Sequence, residues 1–216
     1  MGSQHHNQAS AAREQSVLAM LRALVPNRLL TPGETLRIAE LQANHLLRRF
    51  RIETASVPEE IVSELPRIRV VREDGLPVSG AAHWNGRYWI ITVNADEPIS
   101  RQRFSVMHEF KHVIDHTTKQ LLYRDRPFQT AGEQAERVAD YFAACLLMPK
   151  RVVKRLWCQG NQNIVRLAEM LSVSPRAVRF RLDQLGLTDP PARCSWSPRP
   201  LAQEPQSSEV RFDRAR

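Results

Sequence analysis

The pentapeptide His108-Glu109-Phe110-Lys111-His112 constrains this chain more than any other stretch. On an α-helix, residues four apart lie about 40° apart around the axis, so both imidazoles can face one metal ion. Glu109 follows the first of them, where its carboxylate reaches a water held by that metal. The pattern therefore asks for a long helix here and for metal-assisted hydrolysis, most often of a peptide bond. With 7 His in 216 residues, chance supplies such a match about 0.015 times per chain, so support elsewhere matters.

A catalytic zinc needs a third protein ligand and an open fourth position. Glu136-Arg137-Val138-Ala139-Asp140 offers Glu136 for that place, with Asp140 one turn later to orient a ligand histidine. Both segments read as buried helices. Phe104 and Met107 share a stripe before the first histidine, and Val113 and Ile114 follow the second. From Glu133 to Met148, Ala135, Val138, Ala139, Phe142 and Leu146 recur at helical spacing until Pro149. Glu133 is the rival third ligand, although an acid in a first turn already suits the helix dipole. His116, one turn past His112, is a ligand candidate more readily placed beside the ligands or in the cleft wall.

Arg101-Gln-Arg-Phe-Ser-Val-Met-His-Glu-Phe-Lys-His112, followed by Glu136-x-x-Ala139-Asp140-x-Phe142-Ala143-Ala144-x-Leu146-Leu147-Met148-Pro149, resembles the ImmA/IrrE family of metallo-endopeptidases. Ile90 to Asn94 matches the strand that family places before its active-site helix, and Leu167 to Leu187 matches its usual C-terminal segment. The resemblance spans roughly residues 78 to 187. It implies zinc ligands at His108, His112 and Glu136 with Glu109 as the acid/base. It also implies a bacterial or phage-derived protease that cuts a helix-turn-helix repressor and so relieves repression. Where the family has Leu-Gly, this chain has Phe110-Lys111. These residues lie off the metal-facing edge, so ligation is expected to survive while cleft width or substrate preference changes.

Composition bounds the alternatives. No run approaches 18 apolar residues, the longest being Tyr141 to Met148, so no membrane span is expected. The N-terminus lacks a signal-peptide pattern. Three scattered cysteines, Cys145, Cys158 and Cys194, fit reduced thiols and a cytoplasmic location, with Cys145 a small core residue. A net charge of +8 is spread over Arg48, Arg49 and Arg51, then Arg67, Arg69 and Arg72, then Lys150, Arg151, Lys154 and Arg155. Such a surface suits an acidic protein partner, or a substrate on DNA, as well as nucleic acid itself.

The expected class is α+β: a mostly helical zincin-like domain with a small, largely antiparallel three-stranded sheet. Residues 1–13 read as a flexible lead, 14–161 as the peptidase domain with its N-terminal helices, 162–187 as a helix-turn-helix-like pair, and 188–216 as a disordered, proline-rich tail. Thr31-Pro32-Gly33-Glu34 starts a long amphipathic helix, and Asn85-Gly86 marks a hairpin between strands at 78–84 and 88–94. The stretch Arg87 to Val93 is taken, on the resemblance, as the edge strand that pairs with substrate. His83 and Tyr123 are candidate hydrogen-bond donors to a transition state. Ser174-Pro175 caps the last helix, which Arg176, Arg179 and Arg181 would decorate. Direct DNA binding through that pair is the lesser reading.

The bound metal is expected to be zinc, though the same ligands accept manganese. It would lower the pKa of its water towards about 7, and Glu109 would take that proton and pass it to the leaving amine. The rival function is a transcriptional regulator without proteolysis, or a prophage or toxin–antitoxin interaction protein, binding DNA or a repressor.

Overall fold

The structure, a computed structural model, describes residues 17–187. The flexible lead expected at 1–13 and the tail expected from 188 lie outside the described residues. Helical residues 17–22 (α1) are followed by α2 (Pro32–Arg49), α3 (Glu60–Ser63), β1 (Ile68–Glu73), β2 (Gly80–Trp84), β3 (Trp89–Asn94) and α4 (Ile99–Asp115). The chain continues through α5 (Lys119–Leu122), α6 (Ala131–Leu147), α7 (Lys150–Cys158), α8 (Ile164–Leu171) and α9 (Pro175–Leu185). This is the expected α+β class, mostly helical with one small sheet.

Local chemistry sets where the long helices begin. Thr31 and Glu34 form a reciprocal capping box at α2, with Pro32 in the first turn; Thr130 and Glu133 do the same at α6. From those starts, Ala39, Ala43, Leu46 and Leu47 of α2 are buried, and α2 packs along α6. On α6 the buried stripe is Val138, Ala139, Phe142 and Leu146. It meets α4, whose Phe110 ring lies 6.2 Å from that of Phe142. Arg22 ties α1 to this core by donating to the carbonyl oxygens of Val113 and Ile114, which end α4 without helical partners.

The sheet departs from expectation in one pairing. β2 and β3 form the antiparallel hairpin that Asn85-Gly86 announced, with the Asn85 side chain accepting from the amides of Arg87 and Tyr88 and Gly86 at φ +93°. β1, however, runs parallel to β3, giving the order β1-β3-β2 and a mixed sheet. A parallel neighbour needs a crossover, and β2 with its flanking turns supplies it. β3 is therefore the central strand, paired on both sides. The stretch 87–93 cannot offer the free edge expected of it, and among the described residues the edge nearest α4 belongs to β2.

Ile91 and Val93 of β3 are fully buried, and α4 packs on β2 and β3. No helix among the described residues is long and apolar enough to cross a membrane.

Candidate metal centre

α4 presents His108 and His112 to the same side of its axis, and α6 crosses opposite them carrying Glu136 and Asp140. The His108 Nε2 lies 3.1 Å from the His112 Nε2 and 3.1 Å from one Glu136 carboxylate oxygen; the other Glu136 oxygen is 3.3 Å from the His112 Nε2. Among the described residues this is the one group of three such side chains whose ligand atoms converge.

On the far side of the His108 ring, Nδ1 is 2.8 Å from an Asp140 carboxylate oxygen. A carboxylate only accepts, so Nδ1 carries a proton towards Asp140, and Nε2 is the nitrogen turned to Glu136 and open to a metal. Burial disfavours the charged form of His108. Asp140, by hydrogen bond and charge, with help from Glu109 and Glu136, outweighs it and leaves the pKa raised. His112 is shifted down, first by burial and then by His108.

Lone pairs and a carboxylate aimed at one point repel unless a cation or proton lies between them. The donor set, two imidazole nitrogens and one carboxylate, is a common one for zinc. Its spacing also fits. Four ligands at about 2.05 Å in a tetrahedron are about 3.3 Å apart, close to the separations found here.

Glu109, the residue between them, borders the same cavity of about 520 Å³ together with Ser79, Gly80, Arg101, Phe104, Glu136 and Asp140. Burial pushes its carboxyl above the ordinary value; the His108 charge opposes this and Glu136 reinforces it. Gly80 of β2 closes over it, since a Cβ there would meet the Glu109 Cγ at 3.2 Å. Sequence reasoning passed over Gly80, though a glycine inside a strand is itself a sign of close approach.

The other named residues fall elsewhere. Glu133 is engaged at the α6 N-terminus, accepting from the Thr130 amide at 2.8 Å. His116 stacks edge-on against Trp89, centroids 4.9 Å apart, beside a separate cavity. His83 alternates with Gly80 and Ala82 along β2 and so leaves from the face turned away from α4, exposed. Tyr123 is buried, and its hydroxyl donates to Asp115 rather than opening on the cleft.

Phe110 and Lys111 also differ from expectation. Both are fully buried, so neither sets the width of the cleft. Phe110 joins the α4–α6 core, and the Lys111 ammonium donates to Asp115 inside it. Arg181, expected on the surface of α9, is buried too and donates to the carbonyl of Met148 at 3.1 Å. That leaves Arg176 and Arg179 as the exposed arginines of the helix.

Among curated proteins no match was found. A solved structure titled as a Mycobacterium tuberculosis transcriptional regulator superposes with a TM-score of 0.53 at 20% sequence identity. The match covers 67% of this chain and 55% of that one, so the chain corresponds to about half of the regulator, and the likeness is one of fold. The sequence model of the IrrE N-terminal-like domain, a peptidase family, matches residues 64–183, which include α4, α6 and most of α9. The chain belongs to the IrrE N-terminal-like family.

Proposed function

We propose that the protein is a zinc-dependent endopeptidase whose substrate is another protein, a helix-turn-helix repressor that it inactivates by limited cleavage. The observation that carries this reading is the convergence of His108, His112 and Glu136 on one point, with Asp140 behind His108 and Glu109 at the rim of an open cavity.

His108, His112 and Glu136 would hold the zinc, which when bound acts as a Lewis acid on a carbonyl and brings the pKa of a water to about 7. Asp140 keeps the proton on His108 Nδ1 and so keeps the opposite nitrogen available as a ligand. Glu109, with its raised pKa, is suited to accept a proton from the attacking water and return it to the leaving amine. The outer edge of β2 has no strand partner among the described residues. Its free backbone groups can align an extended peptide beside Glu109. Manganese is an acceptable substitute for this donor set.

A second reading is favoured by the solved neighbour titled a transcriptional regulator: a regulator that binds a repressor or DNA and uses the metal only structurally. Glu109→Gln separates the two. The carboxylate is not in the ligand trio, so the variant should bind zinc as the wild type does. Cleavage of a helix-turn-helix repressor encoded beside the gene should fall by about 100- to 10,000-fold, the loss expected when an acid/base group is removed. A variant that retains cleavage defeats the assignment of Glu109; a wild type that cuts no protein with zinc supplied defeats the peptidase reading.

A further inference from the structure

Beyond the metal cavity lies a second one of about 490 Å³, and the two share Arg101, Phe104 and Asp140. Its floor is apolar: Phe104 from α4, Met148 at the end of α6, then Val173, Ala177 and Phe180 around the N-terminal half of α9. Phe180 is 53% exposed although its neighbours Val178 and Leu182 are buried. Arg176 stands at the rim, exposed and without an ion pair among the described residues. It occupies the first turn of α9, where the helix dipole is already positive, so the charge works against its own helix. Arg101, on the shared wall, makes a 3.7 Å contact to Glu97 and a hydrogen bond to Ser79, and its guanidinium lies 5.8 Å from the Phe104 ring.

An open apolar floor with two cations on its rim, continuous with the place where Glu109 stands, has the chemistry of a substrate-side-chain subsite. We propose that α9 forms a specificity wall of the cleft and selects, in an extended protein segment, a large apolar side chain next to an acidic one. The apolar side chain rests on Phe104 and Phe180, and the acidic one faces Arg176. This inference rests on the peptidase reading and names the substrate segment it takes. It also gives the C-terminal helical pair a task at the cleft rather than on DNA.

The test is a cleavage profile. The full-length chain with zinc is incubated with a tryptic peptide library from a whole bacterial proteome, and cut sites are read by mass spectrometry. The wild type should enrich Phe, Tyr, Leu or Met about tenfold at one fixed position. Beside it, Asp or Glu should be enriched about threefold, a preference that fades in high salt. Phe180→Asp should erase the apolar preference, and Arg176→Glu should erase the acidic one while leaving the apolar one. Misfolding would lower total cleavage but would not remove one preference and keep the other.

Variants that reproduce the wild-type profile overturn the proposal. So does a flat wild-type profile, which would mean that the cavity selects no side chain of the substrate. A wild type that cleaves no more than Glu109→Gln instead brings down the peptidase reading, and this inference with it.

Discussion

His108 is asked to do two things at once, and its two ring nitrogens are given different neighbours to do them. Asp140 fixes the proton on Nδ1; Nε2 then faces His112 and Glu136 as a donor of electrons. Losing the carboxylate should free the ring to rotate and to change tautomer. Asp140→Ala is therefore expected to weaken zinc binding about 10- to 100-fold, the usual cost of removing a carboxylate behind a ligand histidine. Competition against a chromophoric chelator would measure this, and an affinity equal to that of the wild type would deny Asp140 its role. The contact between Asp140 and His108 could be anticipated from the sequence, because Glu136 and Asp140 share a helical face with the same period as the two histidines. Lys111 could not. A lysine one residue from a ligand reads as solvated, and only the packed structure reveals that Asp115, four residues on, accompanies it into the core.

That pair is best considered with the element that contains it. Lys111, Asp115 and Tyr123 form a buried polar cluster between α4 and the end of α5, with Lys111 and Asp115 both 1% exposed. Burial drives the Lys111 pKa down while Asp115 draws it up; the Tyr123 hydroxyl is raised by burial and by Asp115. Removing one member strands a charge in the core. Asp115→Ala should cost about 3–5 kcal/mol in chemical denaturation. Replacing the whole cluster, with Lys111→Met, Asp115→Leu and Tyr123→Phe together, should restore most of that, because apolar packing offsets what the charges lose. A loss below about 1 kcal/mol for Asp115→Ala would mean that water reaches the cluster. The sheet teaches a similar lesson at this scale. Asn85-Gly86 encodes the β2–β3 hairpin locally, whereas the parallel β1–β3 pairing joins segments some twenty residues apart and leaves no local signature. The missed pairing moved the free edge from β3 to β2, and with it the backbone that lies beside Glu109.

Across the whole molecule, one buried cation holds the C-terminal pair to the core that carries the candidate metal site. Arg181 of α9 donates to the Met148 carbonyl, where α6 ends, and to the Gln184 side chain, and its guanidinium lies 5.9 Å from the ring of Tyr141 on α6. Tyr141 is on the same helix as Glu136 and Asp140. The placement of α9 beside the cleft therefore depends on a contact that begins at the ligand helix. Arg181→Ala would leave the Met148 carbonyl without this donor and open a space where a large side chain stood. Together these should cost on the order of 3 kcal/mol. The loss should also be uneven: α8 and α9 should exchange amide hydrogens faster, while α4 and the first half of α6 keep their protection. Zinc affinity should change little, since all three proposed ligands sit on α4 and α6. Exchange that rises equally in all four helices would show that the chain unfolds as one unit, and the cleft would then have no separately docked wall.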